Sequence, residues 1–341
     1  MSSNLIIPKA KDIAKDEYEN NNLIRTPTAG NRKHKNIMNA MYGTKCNERT
    51  IDERDNSLVN YPSTVPNIFL VQKIIGVING IEYFTEATKK DLHFVITTWN
   101  NCNRNYFDFS IPIEHYQRTF NIPSIEEARE RIKITARVLI SCSIIILDNS
   151  KSNYSVTNFP MFKHFNYKKN VINVVFFEDF FNSLKGINSF IFIDPIFYRL
   201  PSTSSLLYWR LINHKKMNVN KYNENIISVS SLLESCTSLP SEDKIKENLT
   251  NRIKKPFQKG MERLCEDGIL KEWHYCRSNG TPLSEKELYE DRSLYKKFKT
   301  YYVKYEMNNK AYENELKKLY LQSQKNKQNY QNRAKNRKKV S

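Results

Sequence analysis

LTNRIKKPFQKGMERLCEDGIL, residues 249–270, is the stretch whose reading decides the fold. Projected at about 100° per residue, Leu249, Ile253, Phe257, Met261 and Leu264 gather on one side, the apolar stripe of a helix that packs on a core. Arg252, Lys255, Lys259 and Arg263 fall in a separate arc of roughly 80° pointing away from it, and Glu266 in the last turn is the first acid to enter that arc. Gly268 is placed to end the helix in a left-handed cap. Pro256 leaves two readings open: a kink inside one long helix, or a late helix start after an irregular lead-in.

The flanking segments complete a unit. A helix is predicted from Ser202 to Met217 and a short second helix from Ser228 to Cys236. A polar insertion around 237–248 leads into the basic helix, and two strands, ILKEWHYC at 269–276 and TYYVKYEM at 300–307, form an antiparallel pair across a long connection containing Asn279-Gly280. That order is helix, helix-turn-helix, β-wing. A helix-turn-helix presents its second helix to the DNA major groove while basic residues around it hold phosphates. A charge stripe opposite an apolar stripe is also what any surface helix shows, so uniform sign in this position is the argument for DNA.

The first half runs in the same order with a weaker signal. Leu92, Val95, Ile96 and Trp99 mark a helix at 87–100, YFDFSI at 106–111 is β-prone, and Pro112 to Phe120 forms a short helix. After a turn at 121–123, Ser124 with Glu127 three residues on is a capping box opening a second helix, which buries Ile125, Ala128, Ile132, Ala136, Leu139 and Ile140. SIIIL at 143–147 and NVINVVFF at 170–177 are expected to pair as the wing. On the second helix Arg129, Lys133 and Arg137 lie beside Glu126 and Glu130, so it suits internal ion pairs or protein contact as well as phosphates.

The whole chain has 341 residues, with 54 Lys+Arg against 36 Asp+Glu and a net charge of +18. A phosphate-bearing partner fits that balance. AT-rich coding, which favours Lys, Asn and Ile over Gly, would give it too. The predicted fold class is α+β: two winged-helix domains in tandem with flexible basic tails. The divisions are 1–60 flexible, 61–198 and 199–307 folded, and 308–341 a basic tail beginning in a short helix through Leu316, Leu319 and Tyr320. Six scattered cysteines show no CxxC and no His at ligand spacing, so neither a metal nor a disulfide framework is expected, and no cofactor either. No signal peptide and no run of about 18 apolar residues is apparent, which predicts a cytoplasmic protein without membrane contact.

TSSLLYWRLIN, ISVSSLLES and LTNRIKKPFQKGMERLCEDGIL together resemble the second winged helix of plasmid replication initiators, whose basic helix has the form R-I/V-x-K-P-hydrophobic before an I/L-rich strand. The resemblance covers about 201–276 by motif and 61–200 by order of elements; the insertion at 237–248 and the connection at 277–299 depart from it. It implies binding to double-stranded direct repeats at an origin, opening of the adjacent duplex, recruitment of host replication proteins such as a helicase loader, and a possible homodimer. Carried over, Arg252, Lys254, Lys255, Lys259 and Arg263 are the expected DNA-binding residues, with Arg129, Lys133 and Arg137 added from the first half. An enzyme is not expected. A rolling-circle nickase needs paired His ligands and a Tyr nucleophile, and no His-x-His occurs; nor does a G-x-x-x-x-G-K-[ST] loop. A winged-helix transcriptional regulator and an RNA-binding or structural protein with basic tails remain the other readings.

Overall fold

Alternating burial creates strands in a region whose polar composition predicts none. The computed structural model describes residues 23–28, 42–64, 67–74, 82–102, 105–150, 153–187, 189–242, 245, 247–290, 295–308, 313–318, 320, 321, 324, 325 and 328. Its first strands are β1 (Ile24–Thr28), β2 (Thr50–Ile51), β3 (Leu58–Tyr61) and β4 (Ile68–Lys73). Val59, Tyr61, Ile68 and Leu70 are buried at every second position, the period of a sheet with one covered face. The expectation of a flexible 1–60 is thereby corrected for its described part. A two-residue period is short enough to hide among Asn and charge. The RKHKN run at 32–36 lies outside the described residues.

Helix α1 (Glu86–Cys102) buries Leu92, Val95, Ile96 and Trp99, as its periodicity requires. Thr26 of β1 is buried against it, with Oγ1 2.9 Å from His93 Nε2 and 2.8 Å from Thr97 Oγ1. β5 (Asp108–Pro112), α2 (Ile113–Phe120) and α3 (Ile125–Ile140) follow. Asn121 turns the chain between the helices in a left-handed conformation. Ser124 caps α3 by accepting from the Glu127 amide at 3.1 Å, which is half of the expected capping box.

Four strands come next: β6 (Cys142–Ser150), β7 (Asn153–Pro160), β8 (Phe162–Lys168) and β9 (Val171–Phe176); α4 (Glu178–Lys185) and β10 (Ser189–Ile193) close the half. The expected pairing of 143–147 with 170–177 does not form. β6 instead lies in the sheet β2-β3-β4-β6-β7, and β9 in the sheet β5-β9-β8. The segment between them supplies β7 and β8, each a hairpin partner of its neighbour, and a short loop closes at less entropic cost than the longer one. β1 pairs antiparallel with β10.

The second half holds α5 (Ser202–Asn218), β11 (Ile226–Ser228), α6 (Val229–Ser235), a π-helical turn at Thr250–Lys254, α7 (Lys255–Glu266), β12 (Leu270–Cys276), α8 (Glu285–Glu290), α9 (Tyr295–Phe298) and β13 (Tyr302–Met307). Its sheet runs β11-β13-β12. Each half contains a helix, a short strand and two helices, and a three-stranded sheet in which the short strand pairs with the last strand; β6 and β7 intervene in the first half, and α8 and α9 in the second. β5-β9-β8 and β11-β13-β12 are the two instances.

Polar contacts fasten the halves together. Lys89 of α1, buried, donates to the Thr44 carbonyl at 2.6 Å and to Thr237 Oγ1 at 2.9 Å, and Tyr42 stacks on Trp209 at 4.1 Å between ring centroids. Beyond β13, residues 313–318 are helical, Leu316 is buried, and Glu313 pairs with Lys215 at 2.9 Å. The start of the expected C-terminal tail is thus docked. No helix among the described residues is long and apolar enough to cross a membrane.

Candidate nucleic-acid interface

Residues 249–266 are helical without a break, with a π-helical turn at 250–254 just before Pro256. Of the two readings the single long helix is the one observed, irregular at the proline because its ring lacks the N–H that an inner turn would use. Ile253, Phe257, Met261 and Leu264 are buried and Leu249 packs against them. Gly260 permits a close approach to α5: a Cβ there would lie 2.8 Å from Leu207 Cδ1 and 3.1 Å from Thr203 Cγ2. Gly268, at φ 71°, ends the helix, with its amide donating to Cys265 O and that of Ile269 to Leu264 O, the left-handed cap that the sequence predicts.

The five cations expected here divide into three groups. Arg252, Lys255 and Lys259 are exposed, and none has an ionic partner among the described residues. Arg263 is exposed but bound within its own turn, 2.6 Å from Asp267 and 3.7 Å from Glu266; the hydrogen bond it donates to Asp267 pushes its guanidinium pKa up further. Lys254 is turned inward, 8% exposed, with Nζ 5.5 Å from the centroid of Phe298. Helical spacing already sets Lys254 beside Met261 at the edge of the apolar stripe, away from the arc of Arg252, Lys255 and Lys259.

All three first-half cations are paired on α3. Arg129 meets Glu126 at 2.8 Å and also donates to Tyr167 Oη and Asn170 Oδ1, both at 2.7 Å. Lys133 meets Glu130 at 2.5 Å, and Arg137 donates to Glu82 at 2.8 Å, a contact that lowers the Glu82 carboxyl pKa. These arginines and this lysine are not gathered with the α7 group into one cluster of open charges.

Sequence reasoning missed two features that set this geometry. The first is the connection at 277–299, which folds back as α9 and lays Phe298 against Phe257 at 5.6 Å; Tyr295 and Phe298, apolar at helical spacing, carried the signal. The second is Asp91, a buried acid on α1 that accepts from Arg131 at 2.5 Å, Thr135 at 2.6 Å and Tyr116 at 3.0 Å. It fixes α3 to α1 and α2. An acid beside Leu92 in an apolar-faced helix was its only trace.

No protein-family model matches the chain, and no curated protein matches it by sequence. Solved structures do match. The fold resembles that of domains 2 and 3 of RctB. A crystal structure of those domains covers 80% of this chain and 99% of its own length, at a TM-score of 0.50 and 9% sequence identity. A second crystal structure of the same RctB domains covers 70% of this chain and 81% of its own, at 12% identity and a TM-score of 0.35. The chain accordingly has a mixed α and β fold like that of RctB domains 2 and 3. At such identity the likeness reaches the backbone and not individual side chains.

Proposed function

We propose that this chain is a cytoplasmic, non-enzymatic protein of two tandem winged-helix units that binds double-stranded DNA sequence-specifically at a replication origin. The observation that carries the reading is the stripe Arg252, Lys255 and Lys259. Three cations without acidic partners among the described residues stand outward on α7 and the π-helical turn leading into it, which this reading takes as the second helix of a helix-turn-helix, in a chain of net charge +18. Open cations on an exposed helix attract phosphates at low desolvation cost, and a free guanidinium can bond a guanine edge in two places. The likeness in fold to domains 2 and 3 of RctB, a replication initiator, makes origin DNA the natural duplex. The plasmid initiators that the second half resembles supply the finer expectations: direct repeats, opening of the adjacent duplex, host helicase loading and a dimeric form.

Footprinting of the purified chain on DNA flanking its own gene, at near-physiological salt, tests the proposal. Evenly phased protection of several direct repeats is the expected result. Protection of one promoter palindrome would transfer the assignment to a transcriptional regulator, and uniform weak coverage would reduce it to a basic protein with adhesive tails.

A further inference from the structure

The hairpin joining β8 to β9 carries a lysine where backbone geometry disfavours one. Lys168 pairs with Val171, leaving Lys169 and Asn170 as a two-residue loop. Their φ values are 52° and 62°, the pattern of a type I′ turn, which favours Asn-Gly or Asp-Gly. Asparagine tolerates the left-handed region, whereas the Cβ of a lysine crowds its following carbonyl. The turn is nonetheless clamped from two sides. Asn170 Oδ1 accepts from Arg129 of α3 at 2.7 Å and from Tyr167 Oη at 2.8 Å, and its carbonyl accepts from the Ile113 amide of α2 at 3.0 Å.

Lys168 and Lys169 are exposed, and no ionic partner holds either among the described residues. Of the acids nearby in the fold, Glu126 is committed to Arg129, and Glu114 opens the exposed first turn of α2. Glycine at 169 would relieve the backbone without uncovering any core. What the lysine contributes there is charge on a rigid mount.

We propose that this hairpin tip is a second phosphate-binding site, in the first half of the chain, which holds the backbone of a bound DNA duplex through Lys168 and Lys169. The inference rests on the DNA-binding reading above. An ammonium group on a flexible stem suits a phosphodiester oxygen and carries no base preference, so the tip adds affinity to any duplex and leaves discrimination to α7.

The test is fluorescence anisotropy of the full chain on a duplex holding the protected repeat and on a scrambled one, across a salt series. With Lys168→Ala and Lys169→Gly together, the slope of log K against log salt should become shallower by about 0.9 for each lysine on both duplexes. Lys169→Gly alone should melt above the wild type because the strain is gone, and Lys168→Arg with Lys169→Arg should keep the original slope. An unchanged slope in the double variant, or a Lys169→Gly variant that melts below the wild type, overturns the site. The combined Arg252→Ala, Lys255→Ala and Lys259→Ala variant separates the two readings: if it binds and discriminates normally while the hairpin variant does not, the α7 assignment falls and the tip stands. Absence of wild-type binding to either duplex overturns both.

Discussion

Helices α3 and α7 each come second after the short strand of a three-stranded sheet, β5 or β11, and each turns an apolar face to its core, yet they are fixed and charged in opposite ways. α3 is located by a buried polar knot, in which Asp91 receives Arg131, Thr135 and Tyr116. Its outward cations are spent on Glu126, Glu130 and Glu82. α7 is located by apolar packing around Phe257, Met261 and Leu264, with Gly260 tight against α5, and Arg252 in the turn before it and Lys255 and Lys259 on it have no acidic partner among the described residues. Two similarly placed helices thus carry two electrostatic designs. A neutralised helix face has little attraction for phosphate, while an open one has a great deal.

The largest expected effect breaks the α3 side of this comparison. Asp91→Ala leaves the Arg131 guanidinium and two hydroxyls around an empty site, and removing one partner of a buried ion pair costs about 3–5 kcal/mol. Part-exposed Arg131, at 32% of its side chain, places the loss toward the lower end. Urea unfolding followed by circular dichroism measures it, and a loss below about 1 kcal/mol would show that α3 is held by its apolar face alone.

Next in size is the contrast in binding. Alanine at Arg252, Lys255 and Lys259 together is expected to weaken duplex binding on the order of 100-fold and to lower the salt slope by about 2.7. Alanine at Arg129, Lys133 and Arg137 should leave both nearly unchanged. Gel-shift titrations of the two triple variants on one duplex check this, and equal losses would erase the distinction between the helices.

Acid should sharpen the contrast through stability. Burial pushes His93 down to about 3 and, with Arg118 adding repulsion, His115 to about 4; His214 of the second half also falls to about 4, from burial and then Arg210 and Lys221. An unfolded histidine titrates near 6.5. Below that pH the unfolded chain binds protons that the folded chain refuses, so stability is fully present above about pH 6.5 and is lost as pH falls toward 4 and then 3. Each buried histidine contributes up to about 1.4 kcal/mol per pH unit in that window. Two of the three lie in the first half, so thermal melts at falling pH should show α1 and α2 loosening first, with near-ultraviolet signal from Trp99 lost ahead of the rest.

The smallest effect belongs to the exposed bridge between Arg137 and Glu82. A double-mutant cycle with Arg137→Ala and Glu82→Gln should return less than about 1 kcal/mol, as surface pairs do. A larger coupling would mean that this bridge, and not Asp91, orients the end of α3.

Much of this was legible in residues alone because it depends on local periods. The stripe of α7, its glycine cap, the Ser124 cap and the burial of α1 all follow from spacings within a few turns. β1 to β4 were not legible, since short strands with alternate burial differ little from polar coil until a partner covers one face. The pairing of β6 and β9 was misjudged for a related reason: strand propensity names candidates, and closure of the nearer hairpins chooses among them. Lys254 shows a limit of another kind: it was expected at the DNA only through resemblance, while its helical position beside Met261 already sets it on the inner side, where it meets Phe298.

By itself the sequence determined the basic charge, the two repeated runs of helix, helix and strands, and the faces on which the cations of α3 and α7 stand, because these are properties of composition and helical geometry. Only the tertiary structure decided which of those cations are open. Glu82 reaches Arg137 across 55 residues and Phe298 reaches Lys254 across 44, and no local period encodes such meetings. They arise when separate elements pack, and packing is where a charge acquires or lacks its counterion.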